Sequence, residues 1–351
     1  MRIKHVLTII ALGVLGASCS DDNDDFKLPE GDYANGILVS NEGPFSNGTG
    51  TVSFIHNDST DVKASIYNAV NNEDLGNIVQ SISFTNEKAY IIANVSNKIT
   101  VVDRYTFVKE AAIETGLNNP RYMVVANGKG YVTNWGDTAD ETDDYIAIVN
   151  LDTNSIEGTI AVVLGPENIV ASGDKVFVAH QGAYGFNNKI SVIDTKTQEV
   201  ETTITVGDLP SGMKFDGSGN LWVLSSGKPD YSNDETAGSI AKIDVNSNEV
   251  ISSIEFGATE HPGRLNFDSN KLYYTLAGGL YELQTSAESL PTTPIMTDAY
   301  FYGMVIKDGK LYGTDAKDFS SNGDLNIYDL DSKALLNTFT VGIIPGGIYF
   351  N

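Results

Sequence analysis

Gly130-Tyr131-Val132-Thr133-Asn134-Trp135 is the stretch that decides the fold, because variants of it recur along the chain. Six copies follow a turn and combine a hydrophobic pair, an aromatic residue and a small or polar residue, and a more divergent seventh lies near the start. The copies occupy residues 36–41, 88–94, 129–134, 175–180, 220–225, 271–275 and 310–314. A spacing of roughly 40 to 50 residues, made only of strand-like segments, indicates a stacked or circular array.

One repeat unit predicts four strands joined by turns, at residues 121–126, 130–134, 145–149 and 157–163. Asn127-Gly128 between the first two is a hairpin turn, since both residues tolerate positive φ. The third strand of other repeats ends in an aspartate that we expect to accept turn amides; these are Asp103, Asp194, Asp244 and Asp329. The sixth repeat departs from the pattern at residues 280–284.

The two ends of the array predict how it closes. Residues 345–350 resemble a first strand with no successors, and residues 36–41 resemble a second strand with no predecessor. A C-terminal strand that completes the first blade removes an exposed edge, whereas a solenoid would need polar capping repeats. We therefore predict an all-β fold, a single seven-bladed β-propeller of four-stranded antiparallel blades over residues 36–351.

The N-terminus predicts a lipoprotein. Residues 1–18 have a short basic start, an apolar stretch too short to span a membrane, and small residues before Cys19, which is typical of a signal peptide. Cys19 is the only cysteine and is the expected lipidation site; a chance cysteine after an ordinary signal is the alternative. Residues 19–35 begin with an acidic run that predicts a disordered tether.

The charge of the chain excludes some partners. Its formal net charge is −24, and removal of the signal peptide leaves 20 bases against 46 acids. Nucleic acid and anionic lipid both attract clustered Lys and Arg. We therefore expect no nucleic-acid partner, and a membrane link through the lipid alone.

Strand order predicts which loops share a face. The loops between second and third strands lie with the entries to the first strands, and both sets are long, as functional loops often are. We expect them to form a ligand-binding face that suits a flat, polar organic ligand. Its predicted residues are Phe45, Asn94, Arg121, Tyr122, Asn134, Trp135, His180, Tyr184, Phe186, Tyr231, His261, Arg264, Tyr300 and Tyr302.

Other roles stay open for these residues. An aromatic side chain of this set could pack between loops, and Arg121 or Arg264 could pair with one of the many acids. The histidines lack metal-ligand spacing, and the acidic stretch 137–144 does not match a known Ca²⁺ loop. We predict no catalytic residue, no metal ligand, no cofactor and no enzymatic activity, since no catalytic or nucleotide-binding motif is present.

Tyr131-Val-Thr-Asn134 resembles the repeat after which a group of bacterial seven-bladed propellers is named. The chain is also similar to surface propeller lipoproteins that bind cobalamin, through residues 40–43, 47–54, 75–76 and 119–122. That resemblance implies a lipid-anchored protein on the outer face of the outer membrane. It would capture cobalamin or a related corrinoid for a TonB-dependent transporter, with His180 or His261 as a cobalt ligand.

Three other functions are compatible with the same sequence. A glycan-binding surface protein would also use exposed Trp and Tyr side chains. A propeller lyase or hydrolase would place acids on the same face. A cell-surface scaffold would have no small ligand at all.

Overall fold

The computed structural model describes residues 30–45 and 48–351 and has the predicted seven-bladed propeller architecture. Each blade is an antiparallel sheet in which successive strands are neighbours. The innermost strand of each blade contacts the innermost strands of the two neighbouring blades. Together these strands form a closed ring around the axis of the propeller. No helix in these residues is long and apolar enough to cross a membrane.

The strands follow the repeat closely. Blade 1 contains β1 (Gly36–Asn41), β2 (Thr51–His56) and β3 (Val62–Lys63), and helix α1 (Ile66–Asn71) follows it. Blade 2 contains β4 (Val79–Phe84), β5 (Lys88–Ala93), β6 (Lys98–Asp103) and β7 (Lys109–Ile113). Blade 3 contains β8 (Pro120–Ala126), β9 (Lys129–Asn134), β10 (Tyr145–Asn150) and β11 (Ser155–Ala161).

The second half has the same order. Blade 4 contains β12 (Pro166–Ser172), β13 (Lys175–His180), β14 (Lys189–Asp194) and β15 (Glu199–Thr205). Blade 5 contains β16 (Pro210–Phe215), β17 (Asn220–Ser225), β18 (Ser239–Asp244) and β19 (Glu249–Glu255), with a 3₁₀ turn at Asp230–Ser232. Blade 6 contains β20 (Gly263–Asp268), β21 (Lys271–Leu276) and β22 (Gly279–Gln284). Blade 7 contains β23 (Met304–Lys307), β24 (Lys310–Asp315), β25 (Asn322–Asp329) and β26 (Leu335–Ile343), and β27 (Pro345–Phe350) ends the chain.

The C-terminal strand closes the ring as predicted. β27 pairs with β1 and is the innermost strand of blade 1, with Val39 opposite Ile348. The terminal Asn351 donates its side-chain amide to the carbonyl of Tyr33 at 2.7 Å and to that of Arg104 at 3.0 Å. The first and last parts of the fold are therefore held by both a sheet and side-chain hydrogen bonds.

One boundary and the strand number of one blade differ from the sequence prediction. Tyr33, inside the predicted tether, is 7% exposed and packs edge-on against Phe54 and Phe107, so the end of the tether belongs to the fold. Blade 6 has three strands, and a single bridge between Leu280 and Met296 lies at its outer edge. The signal peptide, Cys19 and the acidic run lie outside the described residues.

The core lies between the blades. Tyr131 of β9 is fully buried and packs in one cluster with Ile146, Ile148 and two valines of blade 4. Burial of a large apolar side chain contributes about 1.5–3 kcal/mol. The predicted turn chemistry is also confirmed, because Asp194 accepts the amides of Lys196 and Thr197 at the end of β14.

Candidate ligand-binding channel

A channel of about 940 Å³ runs along the propeller axis. The first strands of the blades form its wall. Phe45 and Tyr300, which are 55% and 74% exposed, lie at its mouth on the face predicted from the loop lengths. This volume is near the upper end of the range seen for small-molecule sites.

β-Bulges near the starts of the first strands shape the mouth. The register of β8 against β9 shifts between Pro120 and Met123, and a similar shift occurs in five other blades. A bulge re-aims side chains that strict alternation would send to opposite sides. As a result the adjacent residues Arg121 and Tyr122 both line the channel, as do Glu167 and Asn168 in β12.

A hydroxyl of the recurring motif stabilises each of several bulges. Thr133 Oγ1 accepts the backbone N–H of Tyr122 at 3.0 Å and lies 3.1 Å from the carbonyl oxygen of Glu167, to which it donates. Ser40 accepts the N–H of Gly347 at the bulge of blade 1, and Thr314 makes the same contact with Gly303 in blade 7, where β23 and β24 pair without a register shift. The motif threonine thus satisfies backbone groups that the bulge removes from the ladder.

The first charged group at the mouth joins blades 3 and 4. Arg121 donates from Nε and Nη2 to the two oxygens of Glu167 at 2.9 and 2.8 Å. Its guanidinium lies 4.1 Å from the ring centroid of Trp135, and Trp135 Nε1 donates to the carbonyl of Pro166 at 3.0 Å. Tyr184 meets Trp135 edge-on at 6.0 Å. Burial disfavours the charged form of Arg121. The neighbouring Glu167 carboxylate favours that form more strongly, so the pKa of Arg121 is raised.

A second group lies across the mouth. Tyr302 Oη donates to Glu42 Oε1 at 2.8 Å, and Arg264 lies 5.6 Å from the Tyr302 ring centroid. Arg264 also donates from Nε to the carbonyl of Phe301 at 3.3 Å. Burial raises the pKa of Glu42, although the Tyr302 hydroxyl and the two arginines act in the opposite direction. The mouth therefore has a cation over an aromatic ring on each of two sides.

Sequence reasoning missed the deeper lining of the channel. Gln80 donates to Tyr122 Oη at 3.1 Å, the hydroxyl of Tyr349 accepts the N–H of Ile82 at 3.0 Å, and Lys214 lies lower down β16. Lys214 could have been identified from the sequence as a charged residue within an innermost strand, because these strands surround the axis. The buried acids Glu42 and Glu167 were not predicted as site residues either.

Eleven of the fourteen predicted residues separate into three groups. Lining the channel are Phe45, Arg121, Tyr122, His261, Arg264, Tyr300 and Tyr302. Trp135 supports Arg121 at the rim. Tyr184, Phe186 and Tyr231 are exposed loop residues outside the channel lining, with 80% exposure for both tyrosines.

Asn94 and Asn134 lie outside the channel lining and serve the scaffold. Asn94 Nδ2 donates to the carbonyl of Pro120 at 3.1 Å, across to the next blade. Asn134 is fully buried, accepts the N–H of Asn118 at 3.1 Å and donates to the carbonyl of Val132. Both amides therefore contribute to the packing of the blades in this structure.

The two histidines are not placed as cobalt ligands. His180 is fully buried inside blade 4, where Nε2 lies 2.8 Å from Ser191 Oγ, and burial lowers its pKa to about 4. His261 lines the channel, but its Nδ1 lies 2.9 Å from the carbonyl oxygen of Ser226 and its Nε2 lies 3.1 Å from Glu235 Oε1. Both ring nitrogens of His261 are therefore occupied.

Two carboxylates of the acidic stretch 137–144 accept hydrogen bonds within the loop. Asp143 accepts the N–H of Asp137 at 2.8 Å, and Asp140 accepts the N–H and hydroxyl of Thr142. Within residues 30–45 and 48–351, no group of three or more His, Cys, Asp or Glu side chains has an arrangement that could hold a metal ion.

Comparison with known proteins gives a family for most of the propeller. A family model described as "Domain of unknown function (DUF5074)" matches residues 35–332. The chain belongs to this family. No curated protein matches the chain significantly.

Solved structures resemble this DUF5074 propeller in fold. Kuenenia stuttgartiensis hydrazine synthase is 18% identical with a TM-score of 0.57, over 75% of this chain and 87% of that chain. BamB from Moraxella catarrhalis is 14% identical with a TM-score of 0.52, over 89% and 85%. Dihydro-heme d1 dehydrogenase NirN is 11% identical with a TM-score of 0.56, over 92% and 76%. At these identities the likeness shows the fold alone.

Proposed function

We propose that this chain is a lipid-anchored protein that captures an organic ligand at the mouth of its axial channel. One observation carries the proposal: the open cavity of about 940 Å³ is bordered by two preformed groups of arginine, aromatic ring and carboxylate. Sites of this kind combine apolar and aromatic walls with a few polar groups that fix orientation.

The contacts at the mouth favour binding without large rearrangement. Glu167 and the Trp135 ring hold Arg121, and Tyr302 is held by its bond to Glu42. Side chains that are already ordered lose little entropy when a ligand arrives. The exposed ring of Tyr184 extends the apolar surface beyond the rim.

The finer proposal is that the ligand is cobalamin or a related corrinoid. The similarity in residues 40–43, 47–54, 75–76 and 119–122 supports this, and the last range includes Arg121 and Tyr122 of the mouth. A broad macrocycle with amide groups at its edge can pack on the aromatic side chains of the mouth and form hydrogen bonds with the polar groups around them. Because His180 is buried and His261 has both nitrogens engaged, the proposal uses contact area and amide hydrogen bonds and no histidine–cobalt bond.

Location, delivery and the lack of catalysis are parts of the same proposal. Lipidation at Cys19 and an acidic tether would hold the propeller at the outer surface, where a TonB-dependent transporter would receive the ligand. The two buried carboxylates of the mouth already have partners, Glu167 with Arg121 and Glu42 with Tyr302. We therefore propose binding and release without turnover.

Calorimetry tests this function. The secreted chain with Cys19→Ala is titrated with cyanocobalamin, cobinamide and a panel of neutral and acidic glycans. Binding of a corrinoid that weakens in Tyr184→Ala supports the proposal. Leu335→Ala is the control, because Leu335 is an exposed apolar residue on the strand β26, at the outer edge of blade 7. Heat of binding with a glycan, and none with cyanocobalamin or cobinamide, would show that the ligand is a glycan and not a corrinoid.

A further inference from the structure

Lys214 is a cation inside the axial channel that has no counter-ion among residues 30–45 and 48–351. It is the fifth residue of β16, so its backbone lies roughly 10 Å below the mouth, given a rise of about 3.3 Å per strand residue. Its side chain lines the channel and is reached by water there. Among the residues that the structure describes, no hydrogen bond, ion pair or aromatic ring engages its ammonium group.

Most of the other described lysines are paired with an acid. Nine of those described form an ion pair with an Asp or Glu, which is expected in a chain with 46 acids. Lys242, on the same blade as Lys214, lies 3.9 Å from Asp216 and over the ring of Trp222. Lys214, which faces the channel, thus has no ion-pair partner among the described residues, although the chain is rich in acids.

The acids of the channel are committed to other groups. Glu167 is held by Arg121 through two hydrogen bonds, and Glu42 accepts Tyr302. No other Asp or Glu lines the channel in the described part of the chain. The inner end of the channel is therefore positive although the chain has a formal charge of −24.

The channel wall surrounds Lys214, but its side chain remains exposed to the water of the channel. Burial lowers the pKa of Lys214, and no nearby carboxylate opposes that effect. An anion that enters the channel can form a charge-assisted hydrogen bond with this ammonium group. A lysine that faces the channel without an ion-pair partner among the described residues is placed to bind an anionic group of a ligand.

We propose that Lys214 anchors an anionic group, a carboxylate or a phosphate, of the ligand that enters the axial channel. This inference rests on the proposed function, since it adds a charge requirement to the same channel. The mouth would hold the planar body of the ligand, and Lys214 would select ligands with an acidic arm long enough to reach it. Uncharged analogues of the same shape would lack this contact.

The test uses small probes, so it does not depend on the identity of the natural ligand. The secreted chain is ¹³C-methylated at its lysines, and the Lys214 signal is assigned by its loss in Lys214→Arg. Orthophosphate, nicotinate and nicotinamide are then titrated. We expect a shift of the Lys214 signal with nicotinate or orthophosphate, and none with nicotinamide. A response to one anion and not to the other distinguishes a carboxylate site from a phosphate site.

Variants give the second readout. Lys214→Met should weaken binding of the responsive anion by about tenfold, the usual value of a charge-assisted hydrogen bond. Lys310→Met is the control, since Lys310 is exposed at the start of β24 and also lacks a described partner. Lys214→Met should leave nicotinamide binding unchanged.

The outcomes separate this inference from the proposed function. A Lys214 response to anions together with no corrinoid binding would keep the anion site and remove the corrinoid proposal. Corrinoid binding with no Lys214 response to any anion, and with equal affinity in Lys214→Met, would overturn the anion site and leave the function standing.

Discussion

Arg121 of β8 and Glu167 of β12 form a two-point ion pair across the boundary of blades 3 and 4, with N–O distances of 2.9 and 2.8 Å. Both residues lie at the bulged starts of their strands, and both are largely buried. The pair therefore couples the packing of two blades to the shape of the channel mouth.

Glu167→Gln should destabilise the fold and weaken ligand binding. Glutamine can accept one of the two hydrogen bonds but leaves the Arg121 charge uncompensated, and loss of one partner of a buried pair costs several kcal/mol. We expect a loss of about 2 kcal/mol in the free energy of unfolding, measured by urea denaturation. The surface pair variant Glu110→Gln should lose no more than about 0.5 kcal/mol. Equal effects of the two changes would contradict this role.

Thr133→Val should show what the threonine of the recurring motif does. Valine keeps the shape but leaves the N–H of Tyr122 and the carbonyl of Glu167 without this partner. Unpaired buried backbone groups cost about 1–3 kcal/mol, so thermal unfolding should begin at a lower temperature. Thr203→Val on the exposed outer strand β15 is the matched control and should change little. If both variants behave alike, the hydroxyl does not support the bulge.

Asp144 makes the stability depend on pH. It is buried, its Oδ2 accepts the N–H of Gly165, and its Oδ1 has no hydrogen-bond partner in the part of the chain that the structure describes. Burial raises its pKa to about 6 from an ordinary 3.8. The ionised carboxylate is therefore unfavourable in the folded state above pH 6, and this penalty is relieved as the pH falls from about 6 towards 4.

Asp144→Asn should consequently be more stable than the natural chain at pH 7.5. The pKa difference corresponds to at most about 3 kcal/mol, and solvent near this loop reduces the expected gain to about 1 kcal/mol. The gain should disappear near pH 4.5. His180, whose pKa burial lowers to about 4, destabilises both proteins below pH 6.5 and so cancels from the comparison. A constant difference across this range would exclude Asp144 as the titrating group.

Deletion of residues 345–351 should abolish the folded monomer. The deletion removes β27, leaves β1 as an unpaired edge and breaks the hydrogen bonds of Asn351 to Tyr33 and Arg104. Exposed edges promote association, so size-exclusion chromatography should show aggregates. Asn351→Ala, which removes the side-chain bonds and keeps the strand, should remain monomeric with a lower melting temperature. A monomeric deletion variant would contradict closure through β27.

The scaffold could be predicted because its determinants are local and repeated. Tyr131, the Asn-Gly turn and the incomplete ends are each visible in short stretches of sequence. The channel depends on bulges and on pairs distant in sequence, such as Arg121 with Glu167, and alternation alone does not reveal these. His180 shows the same limit: the prediction placed it on a loop, but β13 continues through it and Ser191 binds it inside the blade.

The central claim, that the axial channel is the ligand site, is tested most directly by a plug at its mouth. Gly346 lines the channel, and a Cβ at this position would meet only ordinary contacts, the nearest at 3.4 Å from Glu42 Oε1. Gly346→Leu should therefore fold and occupy the space of the ligand. Calorimetric titration with cyanocobalamin should give binding to the natural chain and none to Gly346→Leu. Equal binding by both proteins would place the ligand elsewhere and contradict the account.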